Sequence, residues 1–190
     1  MFLRRKREND ARLREMSAHE LRLRRTAVRA LEDVPIPHPF DIASFCEALS
    51  VKRGRKMVLR ELPDDNGLNA PCGLWIAYAD EDHIWHVRAT SQRHRTQVIL
   101  HEVGHMLLNH SGGSGLSALL AALPTGISPA RVRAVFGRTD YSTDQEHDAE
   151  LTASILAELV ETLPAAPASD LHGMLARVDA TMIHPRRDCR

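Results

Sequence analysis

Two histidines and the glutamate beside the first of them are the residues of this chain best placed to do chemistry. His101-Glu102-Val103-Gly104-His105 is an H-E-x-x-H motif, and the segment around it reads as a helix. Residues four apart on an α-helix share one face, so both imidazoles can reach a single metal ion. Glu102 can then act on a metal-bound water. That is the working half of a zinc hydrolase.

Zinc in a hydrolase takes three protein ligands and keeps a fourth position for water, so a third ligand is to be sought downstream. The acidic segment Glu146-His147-Asp148-Ala149-Glu150 offers several. Glu146, His147, Asp148 and Glu150 all have suitable chemistry, His147 being the weaker candidate on position. Glu146 and Glu150 lie four apart and share a helix face. With Glu146 as ligand, Glu150 can accept a hydrogen bond from the outer nitrogen of a ligating histidine and fix its tautomer. Asp148, on a different side of the helix, is the other candidate for a supporting role. Gly104 asks for a packing reason, since a helix-interior Gly costs about 1 kcal/mol relative to Ala. Close approach of another backbone would be one.

Among the remaining histidines, His94 is seven before His101 and shares its face as a supporting or solvent-facing group. His83 and His86 fall on a strand and could line a cleft. His110 ends the motif helix, where an imidazole suits the terminal carbonyls. Tyr141 is a candidate donor to an oxyanion.

The elements that must position these groups follow from periodicity and punctuation. Residues 4 to 33 read as one Arg- and Glu-rich helix with a thin apolar stripe of Leu13, Leu21, Val28 and Leu31. Its expected state is a solvated arm, with Arg4–Arg7 as a basic cluster at its start. Pro35, Pro37 and Pro39 break it. Asp41 caps a second helix that Gly54 ends. Three short strands are expected at Lys56–Leu62, Gly73–Ala79 and His83–Arg88, with Asp80-Glu81-Asp82 as the hairpin turn and 63–71 as a loop. Ser91 caps the motif helix, which runs to about His110. A Gly/Ser loop at 111–115 and a short helix at 116–123 follow. Ser128-Pro129 opens another helix through Phe136, closed by Gly137. Thr143 with Glu146 resembles a capping box for a helix through about Thr162. A last helix covers about 170–183. The fold class is α+β, mainly helical, with a small three-stranded sheet. Its parts are an Arg-rich helical arm (1–34), a catalytic domain (40–162) and a C-terminal helix and tail (163–190).

Composition narrows the setting. The chain is 43% hydrophobic with few aromatics, so its core should be aliphatic. Its 25 basic and 25 acidic side chains balance, which gives no electrostatic reason to expect direct nucleic-acid binding. Cys46, Cys72 and Cys189 are odd in number and widely spaced, which argues against a disulfide framework and for a reducing, cytoplasmic setting. No run approaches the ~20 apolar residues of a membrane helix, and the basic start has no apolar stretch behind it.

The two motifs together resemble the ImmA/IrrE family of metallopeptidases. That family pairs H-E-x-G-H, here His101–His105, with a later E-x-x-A followed by an apolar helix, here Glu146-His147-Asp148-Ala149 with Leu151, Ala153 and Leu156. Gly73–Ala77 through Ile99-Leu100 is similar to the family's sheet leading into its active-site helix, and the similarity covers roughly residues 40 to 160. The resemblance implies a zincin-like domain in which His101, His105 and Glu146 hold Zn2+ and Glu102 is the general base. It also implies a helix-turn-helix transcriptional regulator as partner and substrate, in settings such as toxin–antitoxin pairs. This chain departs from the pattern at Glu150, where Asn or Asp is common, and at Thr152, where Phe is frequent. The function expected is zinc-dependent cleavage of such a regulator. A zinc-stabilised protein that sequesters the regulator without cutting it is the alternative.

Overall fold

A computed structural model describes residues 17–62, 72–88, 91–110 and 142–163, together with the backbone of 132–136. The Arg4–Arg7 cluster, the loops at 63–71 and 111–115, the helices expected at 116–123 and 170–183, and Tyr141 lie outside these residues.

Four helices and a small mixed sheet make up the described fold, in the order α1 (Ala18–Leu31), α2 (Ile42–Arg53), β1 (Lys56–Glu61), β2 (Gly73–Tyr78), β3 (Glu81–His86), α3 (Gln92–Leu107), β4 (Val132–Phe136) and α4 (Thr143–Thr162). The class is α+β. Strands run in the order β1-β3-β2-β4. β2 and β3 form an antiparallel hairpin with Trp75 opposite Ile84. β1 lies parallel to β3, with Leu59 opposite Ile84, and β4 lies antiparallel to β2, with Ile76 opposite Val135.

The three expected strands are present, and β4 adds a fourth where a helix was expected to run from Ser128 through Phe136. The Ser-Pro pair and Gly137 imitate helix punctuation. The segment between them, Val132-Arg133-Ala134-Val135-Phe136, carries β-branched and aromatic residues that suit pairing with β2. The hairpin turn also moves. β3 begins at Glu81, so Ala79 and Asp80 make the turn. Asp82 belongs to the strand and is only 1% exposed. It accepts hydrogen bonds from Arg53 and Arg55 at 2.8 Å each and from Trp75 Nε1 at 3.1 Å. Two guanidiniums thus turn a turn-forming residue into a buried anchor.

α1 is part of the core and not a solvated arm. Leu21, Leu23, Ala27, Val28 and Leu31 are buried. Arg24 is 2% exposed and meets Glu158 of α4 through two bonds of 3.2 Å. The apolar stripe is wider than the thin one expected, because Leu23 and Ala27 extend it. Ser17 and Glu20 cap the helix reciprocally.

The other caps place the site. Asp41 Oδ1 accepts from Ser44 N at 2.8 Å, and Gly54 ends α2 at φ 60°. α4 starts one residue earlier than expected, with Ser142 and Gln145 forming its capping box. That register leaves the Glu146 carboxylate out of the cap and available to the cleft.

One aliphatic core joins the layers, as the composition leads one to expect. Val28 and Leu31 of α1, Phe45 and Leu49 of α2, Trp75 and Ile84 of the sheet, Ile99 and Val103 of α3, and Leu156 and Leu159 of α4 pack in a single cluster. Burying each such side chain favours the fold by roughly 1.5–3 kcal/mol. Among the described residues, no helix is long and apolar enough to cross a membrane.

Candidate metal centre

α3 carries the H-E-x-x-H motif against the sheet on one side and α4 on the other. Ser91 caps its N-terminus, accepting from His94 N at 3.2 Å. One helical turn separates His101 from His105, and their rings stand edge to face with centroids 4.7 Å apart. The two Nε2 atoms are 3.0 Å from each other.

Glu146 closes the group from α4. Its oxygens lie 3.6 Å from His101 Nε2 and 3.4 Å from His105 Nε2. One donor atom from each of the three residues falls within 4.8 Å of the other two. A tetrahedral ion with bonds of ~2.0–2.1 Å spaces its ligand atoms by roughly 3.3–3.4 Å, so donor atoms gathered within 4.8 Å of one another can share one cation. Two imidazoles and a carboxylate are also the donor chemistry that such an ion takes. The centre can hold a metal ion.

A close backbone contact brings the two helices this near. A Cβ on Gly104 would lie 2.8 Å from the Ala149 carbonyl oxygen and 3.3 Å from its Cα. Gly104 therefore has the packing reason its place in a helix demands. Ala149 sits three residues after Glu146, so this contact sets how far the carboxylate reaches.

Glu150 lies behind His101, its Oε2 3.2 Å from His101 Nδ1, and it accepts from Gln97 Nε2 at 3.3 Å. His105 is backed by a different group. Its Nδ1 lies 2.9 Å from His110 Nδ1. Burial, then the neighbouring His101 and His110, push the His105 pKa down to about 3, so it is the neutral imidazole a metal requires. Burial also lowers the His110 pKa, against the pull of the Asp148 charge. Asp148 itself bonds His19 of α1 at 2.6 Å, away from the three candidate ligands.

Glu102 faces the same cleft and is 5% exposed. The cleft is lined by Cys72, Gly73, His94, Gln97, Val98, His101, Glu102, His105, Glu146 and Glu150. Gly73 starts β2 directly against the Glu102 carboxylate, where a Cβ would lie 2.5 Å from Oε1.

His147 is exposed and His94 lies on the cleft rim. His83 and His86 are buried in the sheet and do not line the cleft. His83 pairs with Glu81 at 3.0 Å. The sequence reading missed Gly73, Cys72 and Gln97, whose place depends on how the sheet meets α3. It also missed the contact between His110 and His105, although the spacing of five residues at a helix end was visible.

No protein-family model, no curated protein and no solved structure matches this chain.

Proposed function

We propose that this protein is a zinc-dependent metallopeptidase with a zincin-like catalytic domain. The observation that supports this best is the convergence of His101, His105 and Glu146 within ligand distance of one another, with Glu102 in the same cleft. Zinc bound there supplies Lewis acidity, lowering the pKa of water toward ~7 and polarising a carbonyl oxygen.

The chain's own residues do the rest. His101 and His105 bind through Nε2, and Glu146 contributes the carboxylate and one negative charge. Glu102 takes a proton from the attacking water as its oxygen bonds to the scissile carbon. It then gives that proton to the amide nitrogen as the C–N bond breaks. Glu102 is 5% exposed and faces the same cleft as the three candidate ligands. β4, at the edge of the described sheet, is the strand we propose an extended peptide would pair with. The substrate class we propose is a helix-turn-helix transcriptional regulator, on the strength of the E-x-x-A and H-E-x-G-H pairing.

The test combines metal analysis with a cleavage assay on a purified helix-turn-helix regulator. Glu102→Gln is expected to keep stoichiometric zinc and lose cleavage, whereas His101→Ala and Glu146→Ala lose the metal. Full activity in Glu102→Gln ends this assignment. A stable, uncut complex of the zinc-loaded wild type with the regulator favours sequestration instead.

A further inference from the structure

His105 is fully buried, and both of its ring nitrogens have neighbours. Nε2 faces His101 and Glu146. Nδ1 lies 2.9 Å from His110 Nδ1. A neutral imidazole has one donor nitrogen and one acceptor. The nitrogen turned toward a cation must be bare, so the hydrogen of His105 sits on Nδ1. At 2.9 Å the His110 Nδ1 is placed to accept it, which puts the hydrogen of a neutral His110 on Nε2.

The end of α3 makes this pairing a product of the backbone. His110 N donates to His105 O at 3.1 Å, and Asn109 N donates to Met106 O at 3.2 Å. Asn109 itself is left-handed at φ 51°. These two bonds and that residue form a Schellman turn, in which Asn is the commonest alternative to Gly. The turn folds the chain back so that the residue just past the helix lies over the last motif histidine. Thus Asn109 delivers His110 to His105.

We propose that His110 is a positioning residue for the metal centre: its Nδ1 accepts the His105 Nδ1–H and so aims the bare Nε2 of His105 at the ion. This rests on the metal reading above. It differs from the support of His101, which has a carboxylate, Glu150, behind it. The two ligands are held by chemically different partners, one anionic and 61% exposed, the other a half-buried ring.

Three measurements on the full chain test it. Zinc affinity is read by competition with a chelator for the wild type, His110→Phe and His110→Asn. Phe keeps a ring without the acceptor and is expected to weaken binding by about 10- to 100-fold, the usual effect of losing a partner of a ligating histidine. Asn restores an acceptor oxygen near the Nδ1 position and is expected to recover most of that loss. In the zinc-loaded wild type, nitrogen NMR is expected to show the His105 proton on Nδ1 and a coupling across the hydrogen bond to His110 Nδ1. Unchanged affinity in His110→Phe, an Asn variant no better than Phe, or a His105 proton on Nε2 overturns the proposal. The NMR result decides it even if a variant does not fold. A wild type that takes up no zinc overturns the metal reading, and this proposal with it. A wild type that binds zinc while His110→Phe binds equally well overturns this proposal alone.

Discussion

Gly104→Ala separates a glycine that merely tolerates its helix from one that sets the metal geometry. In an open helix the change adds about 1 kcal/mol of stability, because Ala is the better helix former. Here the new methyl would sit 2.8 Å from the Ala149 carbonyl oxygen, 3.3 Å from its Cα and 3.4 Å from its carbonyl carbon. All three atoms are main chain, so no rotamer change and no substitution at Ala149 can relieve the contact. The helices must move apart by roughly 0.5 Å to reach ordinary van der Waals distance, and that is the tolerance within which a site keeps its productive geometry. Overpacking of this kind costs about 1–3 kcal/mol. After the helix-propensity gain, the metal-free protein should lose up to about 2 kcal/mol. The larger effect falls on the ion. Glu146 rides on α4 and the histidines on α3, so closing them around zinc restores the contact that separation relieved. Each 1.4 kcal/mol of that strain weakens binding tenfold, so 1–2 kcal/mol predicts a loss of roughly 5- to 30-fold. Urea unfolding of the metal-free variant and chelator competition for zinc measure the two parts. A variant that is more stable than wild type and binds zinc equally well would refute the argument that this glycine fixes the interhelical distance.

Three further outcomes follow from neighbouring contacts. Gly73→Ala places a methyl 2.5 Å from Glu102 Oε1; the carboxylate can swing aside, so zinc should stay bound while cleavage falls, by up to about 100-fold for a displacement near 1 Å. Unchanged cleavage by the zinc-loaded variant would count against Glu102 as the base. Asp82→Asn removes the charge that two arginines face and should destabilise by about 3–5 kcal/mol at neutral pH. Burial opposes that charge, but bonds from Arg55, Arg53 and Trp75 outweigh it and hold the carboxyl below its ordinary 3.8. The stabilisation is therefore complete above that value and lost as pH falls through the lower folded one, so the gap between wild type and Asn should narrow only in strong acid. A gap independent of pH down to acid unfolding would argue against the ion pair. Leu31→Ala in α1 should cost about 2–5 kcal/mol in denaturant unfolding, whereas a value near zero would return α1 to the status of a solvated arm.

The centre was more legible in the sequence than the sheet around it. His101, Glu102 and His105 declare themselves because helix geometry alone sets their mutual distances. Gly104 announced a close contact for the same local reason. Glu146 needed one long-range assumption, that α4 folds back on α3; the acidic segment alone left several candidates open, and the family resemblance singled out Glu146. β4 was misread because its flanks imitate helix caps while its pairing partner lies far off in sequence. Asp82 was misread because an acidic run looks like a turn until two distant arginines are known to meet it. α1 was misread because its charge content hides the extra apolar positions, Leu23 and Ala27, that widen its buried face. Gly73 leaves no local trace, since only the docking of β2 on α3 gives it a role.

The burial of α1 has a consequence for the site. Among the described residues, Glu146 is the candidate ligand that reaches the centre from outside the motif helix, so whatever holds α4 also sets how the three side chains converge. On one side α4 meets α3 backbone to backbone at Gly104 and Ala149, which sets a minimum distance. On the other side α1 grips it through Arg24 and Glu158 and through His19 and Asp148, with Val28 and Leu31 in the shared core. A contact that limits approach needs an opposing element that prevents retreat, and α1 supplies it. The segment that reads as a detachable arm therefore braces the candidate metal centre, and weakening α1 should lower zinc affinity although none of its residues belongs to the cluster of His101, His105 and Glu146.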